Sequence, residues 1–362
     1  MKTVLIGIPC LKVGGTEIQT LRLVEALVAG GYEVTTVCYF EYDFDMVQQF
    51  RGAGSKVECL SAFGTRPAGT KEQYRFLKKG LKRIVDEYHP DIAHIQYMAP
   101  GALPIIILKR LGVKCIIATS HTMGDIYKST RLVNFLSKHI LKAFTCITET
   151  AERSFFGSSH LYSKSTILKK HNHLTIYNTL SPNYTFTSRT PSSQPLRIGF
   201  VGRLENIKGA DLLIPAFSLL KQQYPEATLT IVGDGKLHDT LVEQQKEFKV
   251  SVEMMGKQPY HKLPSLYQQM DIVWIPSRSE GFGLTCLEAM ANGCHVVASQ
   301  VGGLPEIVQD DTCLCQPESP DSLAEITCRI IASSPGESRV KRAQDFQFDN
   351  YKDLILSLYS KL

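Results

Sequence analysis

Apolar residues along this chain fall into short runs separated by longer stretches of helical period, and the alternation repeats from one end to the other. In the first half the short runs predict strands at Thr3–Ile8, Glu33–Val37, Val57–Leu60, Ile92–Ile95, Cys115–Thr119, Ala143–Ile147 and Leu174–Tyr177. Between the first two, Thr16 to Ala29 reads as a helix, with Ile18, Leu21, Leu23, Val24 and Leu27 broadly on one face and Gly30-Gly31 as its stop. Strands that alternate with helices imply a parallel, doubly wound sheet. Periodicity then stops over residues 181–195, a polar stretch rich in Ser, Thr and Pro that reads as a linker. A second series follows, with strands at Leu196–Val201, Thr228–Val232, Val252–Met254, Ile272–Ile275, His295–Ala298 and Thr312–Cys315, and the chain ends in an apolar-striped helix over 350–362. The pattern predicts an α/β protein of two doubly wound, Rossmann-like domains facing across a cleft. Residues 1–180 form the first and 196–349 the second, with the helix 350–362 packing back on the first.

Composition supports this picture. A chain of 362 residues suits two domains, and 43% apolar with 21% charged residues excludes a disordered polymer. No apolar window approaches the length of a membrane-spanning helix, and the run after Met1 is too short for a signal peptide, so a cytoplasmic location is expected. The ten cysteines are scattered without a Cys-x-x-Cys pair. Cys313 and Cys315, predicted on one strand face, offer too few ligands for zinc, so reduced cysteines are expected. Residues 1–178 carry 23 Lys+Arg against 14 Asp+Glu, and the remainder 17 against 21. The basic first half suits an anionic surface or acceptor. Its helix over residues 71–85 is basic on one side, with Tyr74, Leu77, Leu81 and Ile84 lining the other, and reads either as a surface helix packed by that stripe or as a peripheral contact with anionic lipid at the inner face of the cytoplasmic membrane. No nucleic-acid recognition motif accompanies the charge.

The chemistry concentrates in the second half. After the strand Ile272–Ile275, the stretch Pro276-Ser277-Arg278-Ser279-Glu280-Gly281-Phe282-Gly283 leads into a helix that begins at Leu284 and carries Glu288. Ligands of open α/β sheets bind at such carboxyl ends of strands. A carboxylate accepts from two neighbouring hydroxyls, so Glu280 and Glu288 suit a polyhydroxy ligand. Gly281 and Gly283 allow close backbone approach, and the helix start offers N–H groups to an anion. Earlier, the strand ending at Gly202 is followed by Arg203 and Lys208, two cations fit to hold a diphosphate. Asp43-Phe44-Asp45 imitates a metal-binding Asp-x-Asp but lacks further ligands, and no metal or cofactor is expected.

Together these motifs resemble the retaining glycosyltransferases of family 4, which have the GT-B fold. Glu280 and Glu288 match that family's pair of glutamates separated by seven residues, and Gly202-Arg203 with Lys208-Gly209 match its phosphate segment. Val301-Gly302-Gly303-Leu304-Pro305-Glu306, Gly14-Gly15-Thr16-Glu17, Ser120-His121 and Ile176-Tyr177-Asn178 also resemble it. The resemblance implies that Glu288 holds the ribose hydroxyls of a nucleotide and Glu280 the hydroxyls of the donor sugar, in a loop with Gly281, Phe282, Gly283 and Leu284. Gly202, Arg203 and Lys208 would grip the diphosphate, and Gly256 and Lys257 would lie near the base. Gly14 and Gly15 would admit the sugar and phosphate, with His121 facing the sugar. Glu280, Arg203, Lys208 and His121 would be the catalytic set. The implied reaction transfers a hexose with retention from a UDP- or GDP-sugar to a carbohydrate or lipid-linked hydroxyl acceptor, in polysaccharide or glycolipid biosynthesis. A nucleotide-sugar epimerase or phosphorylase of the same fold, or a donor-binding subunit without turnover, are the competing readings.

Overall fold

Every strand run of the pattern becomes a strand of one of two parallel sheets. A computed structural model provides the structure, which describes residues 2–96, 102–127, 129–168, 172–188, 195–333 and 338–362. The chain divides into two units, Met1–Pro182 with Phe348–Leu362, and Asn183–Gln347. In unit 1 the strands are β1 (Thr3–Ile8), β2 (Glu33–Cys38), β3 (Lys56–Cys59), β4 (Ile92–Gln96), β5 (Cys115–Ser120), β6 (Ala143–Cys146) and β7 (His173–Thr175), in the order β3-β2-β1-β4-β5-β6-β7. In unit 2 they are β8 (Arg197–Val201), β9 (Thr228–Val232), β10 (Glu253–Gly256), β11 (Ile272–Ile275), β12 (His295–Ser299) and β13 (Leu314–Cys315), in the order β10-β9-β8-β11-β12-β13. Both are doubly wound, as the pattern predicts. The winding reverses between β1 and β4 in unit 1, and between β8 and β11 in unit 2.

Helices cover both faces of each sheet, so the strands are apolar almost throughout rather than alternating. Side chains still leave a strand alternately to its two faces. Val4, Ile6 and Ile8 join the core beneath the helices Gly15–Ala29 and Phe348–Ser360, and Leu5 joins the opposite core with Leu77, Leu81 and Ile84 of the helix Thr70–Tyr88. The apolar stripe of that basic helix is therefore buried in unit 1. In unit 2 all of β11 is buried, and the Trp274 indole N–H donates to Thr327 Oγ1 at 2.8 Å, which satisfies the one polar atom of the ring.

The terminal helix Phe348–Ser360 belongs to unit 1 and packs on the helix Gly15–Ala29. Ile355, Leu358 and Tyr359 are buried, Tyr359 meets Tyr32 edge to face at 5.5 Å, and its hydroxyl lies 2.8 Å from His94 Nδ1. One strand end differs from the expectation. Thr312 and Cys313 lie in a 3-10 turn, Asp311–Cys313, because Asp310 Oδ1 accepts both the Thr312 N–H (3.0 Å) and its hydroxyl (2.6 Å). Cys313 and Cys315 thus do not share a strand face, and no disulfide forms among the described residues. Residues 183–188 of the polar stretch lie on unit 2, where Asn292 Nδ2 donates to the Tyr184 hydroxyl at 2.7 Å and the Thr187 N–H to Ala291 O at 2.9 Å. Residues 189–194 of the predicted linker are outside the described residues. No described helix is long and apolar enough to cross a membrane.

Candidate active site

In unit 2 the winding reverses between β8 and β11, and the loops that follow these two strands carry the motifs singled out in the sequence. They are fastened to each other. The Arg278 N–H donates to Ile207 O at 2.9 Å, and its guanidinium donates to Asn206 O at 2.6 Å and to both Asp211 oxygens at 2.7 and 2.8 Å. Burial opposes the charge on Asp211, but the Arg278 fork outweighs it and holds the carboxyl below its ordinary range. Gly209 adopts a left-handed conformation (φ +66°) with its α-carbon against the Pro276 carbonyl, where any β-carbon would overlap that oxygen.

This fastening brings Lys208 onto Glu280. The Lys208 ammonium lies 2.5 Å from Glu280 Oε2, and the Ser277 hydroxyl donates to the same oxygen at 3.3 Å. The Glu280 carbonyl accepts the Gly303 N–H at 3.1 Å, and Gly302 passes it so closely that only glycine fits. Gly283, at φ +103°, turns the chain into the helix Leu284–Ala291. Gly281 and Leu284 are half-buried, while Phe282 is buried edge to face on Phe346 at 5.8 Å.

Glu288 is only 5% exposed, and a phenol donates to each of its oxygens: Tyr260 to Oε1 at 2.9 Å and Tyr267 to Oε2 at 3.1 Å. Burial, reinforced by the nearby Glu288 charge, pushes the Tyr267 phenol well above its usual range and keeps it a donor. Arg203 is elsewhere. Its side chain is 65% exposed and pairs with Glu205 at 2.8 Å, a surface pair of little energy that an arriving anion can displace. Gly202 follows β8 with its N–H on Val232 O, Gly256 ends β10 in a left-handed turn whose carbonyl accepts the Gly233 N–H, and Lys257 beside it is exposed.

In unit 1 the reversal lies between β1 and β4. Gly14 caps and Gly15 opens the helix Gly15–Ala29 after β1, with Gly14 O accepting the Ile18 N–H at 3.0 Å. Glu17, one turn on, is buried and accepts the Cys10 thiol at 3.2 Å. Burial raises the Glu17 carboxyl, and burial together with the Glu17 charge pushes the Cys10 thiol up to about 12. His121 follows β5, with Nε2 2.8 Å from Gln96 Oε1 at the end of β4. His94 lies between Tyr359 and the Thr119 hydroxyl (2.6 Å). Burial pushes both imidazoles down to about 3, so both are neutral near pH 7. With the Gln96 amide oxygen as acceptor, His121 Nε2 carries the proton.

The structure thus joins Lys208 directly to Glu280, holds Glu288 separately between two phenols, and leaves Arg203 at the surface. Tyr267, Gln96 and Asp211 as the partner of Arg278 have no part in the sequence reading. Their partners are distant along the chain, and no local spacing marks them.

Two family models match the chain: Glycosyltransferase Family 4 over residues 13–157 and Glycosyl transferases group 1 over residues 186–345. The D-inositol 3-phosphate glycosyltransferase of Corynebacterium aurimucosum is 36% identical over 178 residues, 45% of this chain and 42% of that protein. The matched stretch therefore spans about two fifths of that relative's length. Among solved structures, HepE of Anabaena in complex with UDP and glucose superposes with a TM-score of 0.78 at 20% identity, over 100% of both chains. The lipopolysaccharide outer core galactosyltransferase WaaB does so with a TM-score of 0.78 at 17% identity, again over 100% of both. At such identities the likeness to the two structures is one of fold.

Proposed function

The chain belongs to the family 4 glycosyltransferases (glycosyl transferases group 1), and from that premise we propose that it transfers a hexose, with retention, from a nucleoside diphosphate sugar to a hydroxyl acceptor. The observation that carries this reading is the Lys208–Glu280 contact at the reversal between β8 and β11. It puts a fixed cation and a hydroxyl-accepting carboxylate side by side, which is what a sugar bonded to a phosphate presents in reverse. In this reading Lys208 and Arg203 neutralise the diphosphate, Arg203 leaving Glu205 to do so. Their charge is worth most as the glycosidic bond loosens and negative charge collects on the leaving phosphate. Glu280 accepts from the sugar hydroxyls and Glu288 from the ribose, so neither carboxylate attacks carbon. The leaving phosphate oxygen takes the acceptor's proton. Gly202, Gly281, Gly283 and Leu284 admit the donor by their backbone, Phe282 braces that loop from beneath, and Gly256 and Lys257 border the base. Gly14, Gly15 and the neutral His121 belong to unit 1, the acceptor-side domain.

UDP is the first candidate nucleotide, since HepE is in complex with UDP and glucose. WaaB is a lipopolysaccharide outer core galactosyltransferase, which supports an acceptor in cell-surface polysaccharide or glycolipid assembly. Because the apolar stripe of the helix Thr70–Tyr88 is buried, any hold on anionic headgroups comes from its outward lysines and is reversed by salt. The test is release of nucleotide from a panel of UDP- and GDP-sugars by the purified chain. One donor is expected to be cleaved slowly without acceptor, and Glu288→Ala, Lys208→Ala and Arg203→Ala to lower the rate at least a hundredfold. Undiminished turnover in Glu288→Ala and Arg203→Ala would refute the assignment.

A further inference from the structure

Unit 1 contains a second cluster of ionisable groups with no part in the donor chemistry. Glu152 lies in the helix Glu149–Phe156, His160 follows that helix, and His173 opens the edge strand β7. The Glu152 side chain is fully buried. Its Oε2 accepts the Thr175 hydroxyl at 2.6 Å and the His160 backbone N–H at 3.1 Å. Its other oxygen, Oε1, faces two imidazole nitrogens, His173 Nδ1 at 2.6 Å and His160 Nδ1 at 3.5 Å. One ligand atom from each of the three residues lies within 4.8 Å of the others. The rings are held in place: His173 stacks on Phe156 at 4.2 Å and 8°, and His160 meets His173 edge to face at 5.1 Å.

We infer that Glu152, His160 and His173 form a zinc site with three protein ligands and a fourth position open to water. Zinc takes imidazole nitrogen and carboxylate oxygen at about 2.0–2.1 Å, which in a tetrahedron separates neighbouring ligand atoms by about 3.3 Å. The His160–Glu152 spacing already matches, and the His173–Glu152 spacing need open by less than about 1 Å. The donor set of two imidazoles and one carboxylate selects zinc over the hard cations, which prefer oxygen alone. Thr175 and the His160 N–H occupy the remote carboxylate oxygen, the arrangement of outer partners that orients a metal-binding carboxylate. The ion would tie β7 to the helix Glu149–Phe156 and offset a carboxylate charge that burial makes costly. No proton or electron transfer is involved beyond loss of any proton shared within the cluster.

The full chain, treated with chelator and dialysed under reducing conditions, is titrated with Co²⁺ as a spectroscopic substitute for Zn²⁺. The expected result is one Co²⁺ per chain with ligand-field absorption, no thiolate-to-cobalt charge transfer, displacement by Zn²⁺ and a rise in Tm. His160→Ala and His173→Ala should each weaken binding tenfold or more. The His160→Ala variant keeps the backbone N–H that holds Glu152, so it should melt near the wild type in chelator and carries the test if His173→Ala misfolds. Absence of saturable binding by the wild type, charge-transfer bands that place the metal on cysteine, or unchanged affinity in His160→Ala would each overturn the site.

Discussion

Glu288 accepts from two tyrosines whose surroundings differ, and removing each hydroxyl in turn separates support of the fold from access to the site. Tyr267 is fully buried and Tyr260 is 37% exposed. Tyr267→Phe preserves the ring and its packing and removes the 3.1 Å bond to a carboxylate with almost no access to water. Hydrogen bonds to charged groups contribute about 1.5–3 kcal/mol, and an unsatisfied buried partner adds to the loss. A cost of about 2 kcal/mol shifts Tm by roughly 4–8 °C in a domain of this size. In Tyr260→Phe, water reaches the vacated position and the cost stays within about 0.5 kcal/mol. Scanning calorimetry of the wild type and both variants, following the unit 2 transition, checks the difference. Nucleotide titration supplies a second readout, since Tyr260→Phe frees Glu288 Oε1 for a ribose hydroxyl and should bind nucleotide at least as well as the wild type. Equal Tm losses in the two variants, or no loss in Tyr267→Phe, would refute the reasoning.

Gly209→Ala forces a β-carbon into the Pro276 carbonyl from a left-handed backbone, where strain alone costs about 1–2 kcal/mol; the variant should lower the unit 2 Tm and slow donor cleavage, and a wild-type melt would show that the loops are not fastened there. His94 is 2% exposed and its folded value near 3 lies below the unfolded value of about 6.5, so its contribution is complete above about pH 6.5 and is lost as pH falls toward 3. At pH 5 that loss is about 2 kcal/mol, measurable as a fall in urea midpoint between pH 7.5 and 5 that a His94→Gln variant should lessen. Removing residues 348–362 uncovers the core around Leu23, Leu27 and His94, so the truncated chain should lose the unit 1 transition while unit 2 still melts cooperatively.

Strands and helices were legible because burial on both faces makes the inner strands of a parallel sheet compact apolar runs. Ile272–Ile275 and Thr228–Val232 match their strands end to end. The pattern failed where a polar side chain took over the backbone, as Asp310 does at Thr312, since the apolar period does not record capping. It also gave no sign that His94, inside β4, would bond across the unit to Tyr359 of the terminal helix. The two residues lie 265 positions apart, a pairing that local periodicity does not encode.

The candidate site was legible in its residue types more than in its pairings. Glu280 and Lys208 were read separately, one for the sugar and one for the diphosphate, but in the structure they bond to each other across 72 residues of sequence. The reason is electrostatic. Lys208 and Glu280 have side chains only 24% and 13% exposed, and either charge alone at that depth would carry a desolvation cost. Pairing cancels the two charges, and a phosphate arriving beside a neutral hydroxyl can take the lysine while the hydroxyl takes the carboxylate. In our reading the donor therefore replaces one set of charge-assisted bonds by another and leaves neither charge unmatched. A ligand with the diphosphate but no sugar satisfies only Lys208 and leaves Glu280 to Ser277 alone. Glu280→Gln should then weaken binding of the sugar nucleotide far more than binding of the bare nucleoside diphosphate, which loses no partner. Calorimetric titration of both ligands against both proteins measures the difference, and equal losses for the two ligands would show that Glu280 does not sense the sugar.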